Sequence, residues 1–393
     1  MARSIRTIYA TCILLAACAA SDALSQPQPV PRMVDRSLDK ASYVELAKEW
    51  KKHIEKNGET ADALVNLGMA YDYSEELDAA LAAGQRAVEI DPDNPKALAF
   101  LAHMTASYGG DDDKGLELLL RCRRIAPDYE YGLITLAAVY LRRGELSEAG
   151  KVHKTMFDQR TIPQPLQDYA YNMLVGLPQG AVLITHGDND TFPPLALQAG
   201  MQFREDVIVL NRSLMNLASY ANAHFKLHPS IRPDYDIEGH VTAMTPQGKA
   251  ELLSDKLIEK LIEEKKVSVY FTASQSSVVG FRRDPEWHLE GINLRAEENG
   301  LSAEESARLI LDTYRLDSAT DWSFSWALKP NLSLMMSNYA ASMATLAAAD
   351  GVSKETRRHL LAKASAIAEF HDLANMSQYV RSVQKKWGLD SKD

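Results

Sequence analysis

Residues 180–211 constrain the fold of this chain more tightly than any other stretch. Ala181 to Thr185 is a short apolar run rich in β-branched residues, the mark of a buried strand. His186 to Thr191 then crowds Gly, Asp, Asn and Thr together, which is turn chemistry. Phe192 onward reads as a helix only if Pro193 and Pro194 lie in its first turn, where a missing N–H costs nothing. Thr191 is accordingly the expected N-cap. Asp206 to Asn211 is a second apolar run. Strand, polar turn, helix and strand make a βαβ unit. Its acidic turn falls at the carboxyl end of the first strand, where open α/β sheets hold ligands.

Upstream the period is helical and returns every 34 residues. It begins with Leu64, Leu67, Gly68, Tyr71, Ala80, Ala87 and Pro92. It recurs as Leu98, Leu101, Ala102, Gly115, Cys122 and Pro127, with one extra residue in the turn at 109–113. A third copy runs through Leu133, Leu136, Ala137, Tyr140, Ala149 and Met156 to Pro163. The pattern resembles the tetratricopeptide repeat, with small residues where two helices cross closely. That resemblance implies helix pairs stacked into a short superhelix whose concave side commonly binds peptides. It also implies that the periodic residues themselves serve inter-helix packing. Ser42 to Asn57 is expected to add a helix before the first pair.

Beyond Gln164 the period changes. Asp168 to Leu174 reads as a helix ending before Pro178, Lys249 to Lys265 as an amphipathic helix, and Val267 to Thr272 as a third strand. Such alternation implies a mainly parallel sheet. Asn331 to Trp387 is helical again, with Arg357, Arg358 and Lys363 on its polar side. Trp322, Phe324 and Trp326 are expected to pack closing helices onto the sheet. The expected fold class is α plus α/β: tetratricopeptide repeats, then an α/β domain with closing C-terminal helices. The boundaries expected are a signal peptide at 1–25, a tether at 26–41, repeats at 42–163, the α/β domain at 164–330 and the closing helices at 331–393.

The motif His186-Gly-Asp-Asn-Asp-Thr-Phe-Pro193 and the later Arg204-Glu-Asp-Val-Ile-Val-Leu-Asn211, with Ser213, Leu214 and Asn216, carry a second resemblance. Residues 165–385 resemble the soluble C-terminal region of multi-spanning bacterial membrane proteins related to the protein O-mannosyltransferases. Pro194-Leu195-Ala196 departs from the aromatic-bearing segment that usually follows there. In those proteins the sugar-transfer chemistry is expected in the membrane core. The resemblance therefore implies a shared accessory fold and transfers no activity to this chain.

Two readings of the acidic turn stand side by side. In the first, Asp188 and Asp190 form an Asp-x-Asp site that shares Mg²⁺ or Mn²⁺ and holds a nucleotide diphosphate, with His186, Asn189 and Thr191 beside it. Asn211, Ser213 and Asn216 follow the second strand and would line the same crevice. In the second reading the turn is structural. Asp188 and Asn189 make Asx-turns, Gly187 takes positive φ, and Asp190 complements a helix N-terminus. Two carboxylates on one turn sit too close to straddle a glycosidic bond, so neither is assigned as catalytic. Arg282, Arg283 and His288–Glu290 form either an anion-binding rim or a solvated loop.

The leader bears on where the chain works. Arg3 and Arg6 precede an apolar core from Ile8 to Ala20, which is too short to span a bilayer. Two exits fit it. Leu15-Ala16-Ala17-Cys18 matches a lipobox that would leave a lipid anchor on Cys18, and Ala23-Leu24-Ser25 matches an ordinary signal-peptidase site. Either route exports the chain to the periplasm or the outer membrane. Cys122 is alone in the mature part, so no disulfide forms within it. A net charge of −10 argues against non-specific nucleic-acid binding. The function expected is an exported scaffold whose repeats hold a protein partner, in an envelope or glycan-related assembly. The alternative is a metal- or nucleotide-sugar-binding domain with residual transferase or hydrolase activity at Asp188 and Asp190.

Overall fold

The computed structural model describes residues 26–244, 250–272, 288–296 and 300–389. The leader with Cys18, and Arg282 with Arg283, lie outside the described residues. The chain forms two compact units: Met1–Met33 with Ser37–Ala126, and Val34–Arg36 with Pro127–Asp393.

The first unit is helical. It holds α1 (Lys40–Asn57), α2 (Ala61–Tyr73), α3 (Leu77–Ile90), α4 (Pro95–Ser107) and α5 (Asp112–Ile125). Side-chain caps start most of them. Thr60 accepts from the Ala63 N–H, Asn94 from Lys96 and Ala97 with Pro95 at the first helical position, and Asp111 from Lys114. The small positions of the repeat fall where helices touch. A Cβ on Gly68 would stand 2.4 Å from the Phe100 ring, and Ala80 and Ala87 are wholly buried. The extra residue at 109–113 is absorbed by Gly110 at φ 66°, a conformation that suits glycine. Burial pushes the Cys122 thiol up to about 11, so at neutral pH it carries almost no thiolate.

In the second unit a further helix pair, α6 (Glu130–Arg142) and α7 (Leu146–Asp158), precedes α8 (Gln164–Val175). β1 (Val182–Thr185), α9 (Asp188–Met201) and β2 (Ile208–Asn211) follow, then α10 (Ala218–Leu227). A short ribbon of β3 (Ala243–Met244) and β4 (Ala250–Glu251) comes before α11 (Leu253–Glu264) and β5 (Val269–Thr272). α7 lies along α9, and only a glycine at position 200 admits the Phe157 ring, since a Cβ there would meet it at 2.2 Å. β1 sits between β2 and β5 and is parallel to both, with Val182 level with Ile208 and Val269. All three strands are buried along their length, which is why they read as unbroken apolar runs.

Among the described residues the sheet has five strands in the order β2-β1-β5-β7-β6. Its far side is an antiparallel hairpin, β6 (His288–Glu290) and β7 (Asn293–Arg295). This corrects the expectation of a solvated loop at His288–Glu290. Glu290 and Arg295 are only 4% and 2% exposed, and Arg295 Nε stands 2.9 Å from Glu290 Oε1. Glu290 also accepts from the Tyr270 hydroxyl and the Leu301 N–H, each at 2.7 Å. Charged residues buried as a pair look like surface residues to any hydropathy reading.

The unit closes with α12 (Ala303–Thr313), α13 (Pro330–Met335), α14 (Ser337–Ala348), α15 (Lys354–Phe370) and α16 (Ala374–Lys386). Trp326 packs edge-on to His371, and Phe324 lies against Trp326. Trp322 touches Phe370 but stays 84% exposed, so it contributes little to the core. The fold class is α plus α/β, with repeated helices and a small mixed sheet.

Candidate functional site

The acidic motif is the first turn of a helix. α9 starts at Asp188 with Gly187 as N-cap, so the expected N-cap Thr191 lies one turn inside. Gly187 has φ −105° and ψ −180°, extended backbone rather than the positive φ expected of it. Pro193 and Pro194 consequently stand in the second turn, where their rings remove the bonds that the Asn189 and Asp190 carbonyls would receive. The early start has an identifiable cause. The Asp190 carboxylate reaches back to the Gly187 N–H at 2.7 Å and the His186 N–H at 3.2 Å, satisfying donors that a helix N-terminus leaves open. Its charge also complements the N-terminal end of the helix dipole.

The same carboxylate accepts from Thr272 Oγ1, at the end of β5, at 2.7 Å. Thr191 shares a 2.7 Å hydrogen bond with Thr185 at the end of β1. Asn211, at the end of β2, donates to Thr191 Oγ1 at 2.9 Å and to the His186 carbonyl at 3.1 Å, and accepts from the Leu214 N–H at 3.0 Å. One connected lattice therefore joins the carboxyl ends of all three parallel strands to the start of α9. Its side chains Thr185, Asp190, Thr191, Asn211 and Thr272 are all buried.

The remaining expected site residues scatter. Asn216 accepts from the Ser254 N–H and so caps α11, while Ser213 is exposed. His186 and Asp188 are exposed, and Asn189 donates to the Val34 carbonyl at 3.2 Å. Asp188 and Asn189 line a cavity of about 40 Å³ with Val34, Asp35, Phe192 and Lys329. That space holds about one water, against roughly 300–1,000 Å³ for small-molecule sites. A cation shared by Asp188 and Asp190 would have to take Asp190 from the donors it now satisfies. Among the described residues no three His, Cys, Asp or Glu side chains converge as metal ligands. Millimolar Mg²⁺ or Mn²⁺ is accordingly expected to leave the melting temperature where it is. A rise of several degrees that Asp188→Asn removes would put a cation on this turn.

The second motif is equally structural. The Arg204 guanidinium, on a residue at φ 50°, donates to the carbonyls of Leu174, Val175 and Pro178 and to Asp206. It ties the carboxyl end of α8 to the start of β2, and Asp206 in turn accepts from the Gly180 N–H at 3.1 Å. Hydrogen bonding to Arg204 holds the Asp206 carboxyl down to about 2.

The ligand-sized space lies elsewhere. A groove of about 500 Å³ runs beside the amino half of β2, between α7, α9 and α10. Leu146, Leu195, Ala199, Val209 and Leu227 line it, with His153, His224 and His228. Sequence reasoning misses these histidines, although His153 and His224 each stand on an otherwise apolar helix face, which is the signal that would find them. His153 Nε2 and both ring nitrogens of His224 are buried without a hydrogen-bond partner.

Burial lowers His153 to about 4. Burial, then the nearby His228, lowers His224 to about 3. The unfolded chain binds both protons near pH 6.5 and the folded chain resists them. Stability is thus complete above pH 6.5 and falls as pH drops toward 4, by up to about 1.4 kcal/mol per pH unit for each imidazole. Urea midpoints between pH 7.5 and 5 measure the slope. His153→Leu is expected to remove one proton's share of it, and a flat wild-type profile would contradict the buried neutral rings.

A family model described as "Tetratricopeptide repeat" matches residues 61–94, and one described as "TMEM260-associated domain 2" matches residues 166–226. No curated protein matches. Among solved structures the chain is similar to MamA, at 14% identity over 49% of this chain and 99% of that one, with a TM-score of 0.30. It is similar to a thermophilic tetratricopeptide repeat protein of Thermus thermophilus, at 19% identity over 47% and 91%, with a TM-score of 0.31. A tetratricopeptide repeat protein from Parabacteroides merdae is similar at 13% identity over 83% and 93%, with a TM-score of 0.31. Residues 61–94 match a tetratricopeptide repeat, which supports a role in protein interaction. No helix of the described residues is long and apolar enough to cross a membrane.

Proposed function

We propose that this scaffold is exported, held at the periplasmic face of an envelope membrane through Cys18, and works in a glycan-related assembly. The repeats hold the protein partner, and the α/β unit is an accessory body. The observation that carries this reading is the contrast between the two halves. The helical half carries a repeat of the kind that supports protein interaction, whereas the polar groups that crown the sheet are spent on one another. Support for the glycan-related setting comes from the resemblance of residues 165–385 to soluble regions of O-mannosyltransferase-related proteins. The TMEM260-associated match falls within that span.

The test is affinity capture after cross-linking in cells that express the full chain. A partner recovered by the wild type is expected to survive Asp188→Asn and to be lost when the repeat helices 61–125 are deleted. Loss with Asp188→Asn instead would move the binding to the α/β unit. Cys18→Ser is expected to shift the chain from the membrane pellet to the soluble periplasmic fraction. An unchanged distribution would leave export by the ordinary signal-peptidase route.

A further inference from the structure

The face of α2 that a partner would use is already occupied by the chain's own N-terminal segment. Leu64, Leu67, Gly68 and Tyr71 form one stripe of α2, while Asp62, Asn66, Met69 and Tyr73 form the opposite one. Gly68 meets Phe100 and the Ala80 carbonyl, so the first stripe is turned into the helix stack. Along the second stripe runs Gln28-Pro29-Val30-Pro31-Arg32, outside any helix or strand, up to a turn that opens at Met33. The Val30 N–H donates to Asn66 Oδ1 at 2.9 Å, and the Met33 N–H donates to the Tyr73 hydroxyl at 3.3 Å. On α1, Trp50 Nε1 donates to the Gln28 carbonyl at 3.1 Å.

The spacing of these contacts is set by two helical rises. From Asn66 to Tyr73 an α-helix climbs about 10 Å, and from Val30 to Met33 a polyproline II strand climbs about 9 Å. The segment therefore runs along α2 in the same direction, in step with partners two helical turns apart. Prolines at 27, 29 and 31 hold that extended form before contact, so little chain entropy is lost on docking. Val30 is the apolar anchor and is buried, while the residues on either side of it are partly or fully exposed. The contacts named above are two main-chain N–H groups and one main-chain carbonyl, with a single small aliphatic side chain as the buried anchor. They read an extended backbone and one small aliphatic side chain.

We infer that Gln28–Met33 is a built-in stand-in for the partner. The partner is then an extended peptide with prolines at alternate positions and a small aliphatic residue in the place of Val30, and it binds by displacing this segment from α2. This rests on the scaffold reading above and adds the chemistry of the partner and its competitor. A segment tethered next to its own site acts at an effective concentration on the order of millimolar. A peptide that binds the bare face at about 100 μM would then be weakened roughly tenfold by the segment.

The test uses the full mature chain, the same chain with Val30→Asp, and a fluorescein-labelled peptide of residues 26–36 read by anisotropy. Val30→Asp puts a charge in the buried slot and frees the face. It is expected to bind the peptide at least tenfold more tightly than the wild type, and adding Asn66→Ala is expected to weaken that binding several-fold. Pro29→Gly with Pro31→Gly releases the segment without a new charge and is expected to act in the same direction, which guards against a folding defect in the aspartate variant. Equal binding by wild type and Val30→Asp overturns the inference. So does no binding by either released variant when both melt normally. A peptide array separates the two readings. Peptides captured equally by wild type and Val30→Asp would overturn the stand-in and leave the scaffold, and an array silent with both chains would take the scaffold with it.

Discussion

Asp190→Ala is expected to lower the unfolding free energy by about 3–5 kcal/mol, the largest effect of any single substitution in the motif. The carboxylate accepts from two main-chain N–H groups and the Thr272 hydroxyl, all in a region closed to water. Truncation leaves each donor unpartnered, at about 1–3 kcal/mol apiece before relaxation. Asp190→Asn keeps one acceptor and turns an NH₂ toward Thr272, whose hydroxyl can rotate to accept, so its cost is expected to be about half. Urea unfolding with an unchanged m-value measures both. Asp188→Asn, on an exposed neighbour, is expected to stay within about 0.5 kcal/mol of wild type. If Asp190→Asn abolished a ligand response at wild-type stability, the residue would be a binding group and the structural account would fall.

The second large effect belongs to the hairpin. Arg295→Met is expected to cost about 3–5 kcal/mol, because it strands Glu290 in the interior without its cation. Glu290→Gln keeps the Leu301 N–H on its one remaining oxygen and turns an NH₂ toward the Tyr270 hydroxyl, which can rotate to accept, but takes the counter-charge from Arg295, and is expected to cost about 2–4 kcal/mol. The double variant Glu290→Leu with Arg295→Met removes both charges and is expected to recover most of the loss, since a buried pair gains little over an apolar one of similar size. A thermodynamic cycle tests this directly. Additive losses in the double variant would mean that the two side chains act independently, against the 2.9 Å geometry.

Both effects explain why the motif resembles a ligand site in the sequence. Gly, Asp, Asn and Thr at short spacing are the residues that hold a cation, and they are equally the residues that satisfy a helix N-terminus. Which role applies depends on what stands opposite. For Asp190 the decisive partner is Thr272, some eighty residues away along the chain. Arg204 and Asp206 show the same ambiguity. In the sequence they belong to the second resemblance motif, and in the fold they secure the end of α8.

The parts legible in advance share a physical origin. Leu64, Gly68, Ala80 and Ala87 repeat because each helix pair buries the same face against the next, so the packing is written as a period. β1, β2 and β5 are legible because strands buried on both faces must be apolar throughout. β6 and β7 are not, being only three residues each and carrying a charge pair that neutralises itself out of sight. The start of α9 is misplaced by four residues in the sequence because proline's preference for a first turn is local, while the capping by Asp190 gains from β5 as well. His153 and His224 stand on apolar helix faces and pass as core.

By itself, then, the order of residues determined the repeat, the parallel strands and the succession of a helical half by an α/β half. All of these rest on patterns of neighbours along the chain. Only the tertiary structure decided that Asp190, Thr191 and Asn211 face one another, that Glu290 and Arg295 neutralise each other inside, and that Val30 lies on α2. Each is a pairing of polar or single apolar groups brought together across long sequence separations. Such pairings leave no period to read, because a hydrogen bond depends on where two atoms meet and not on how many residues lie between them.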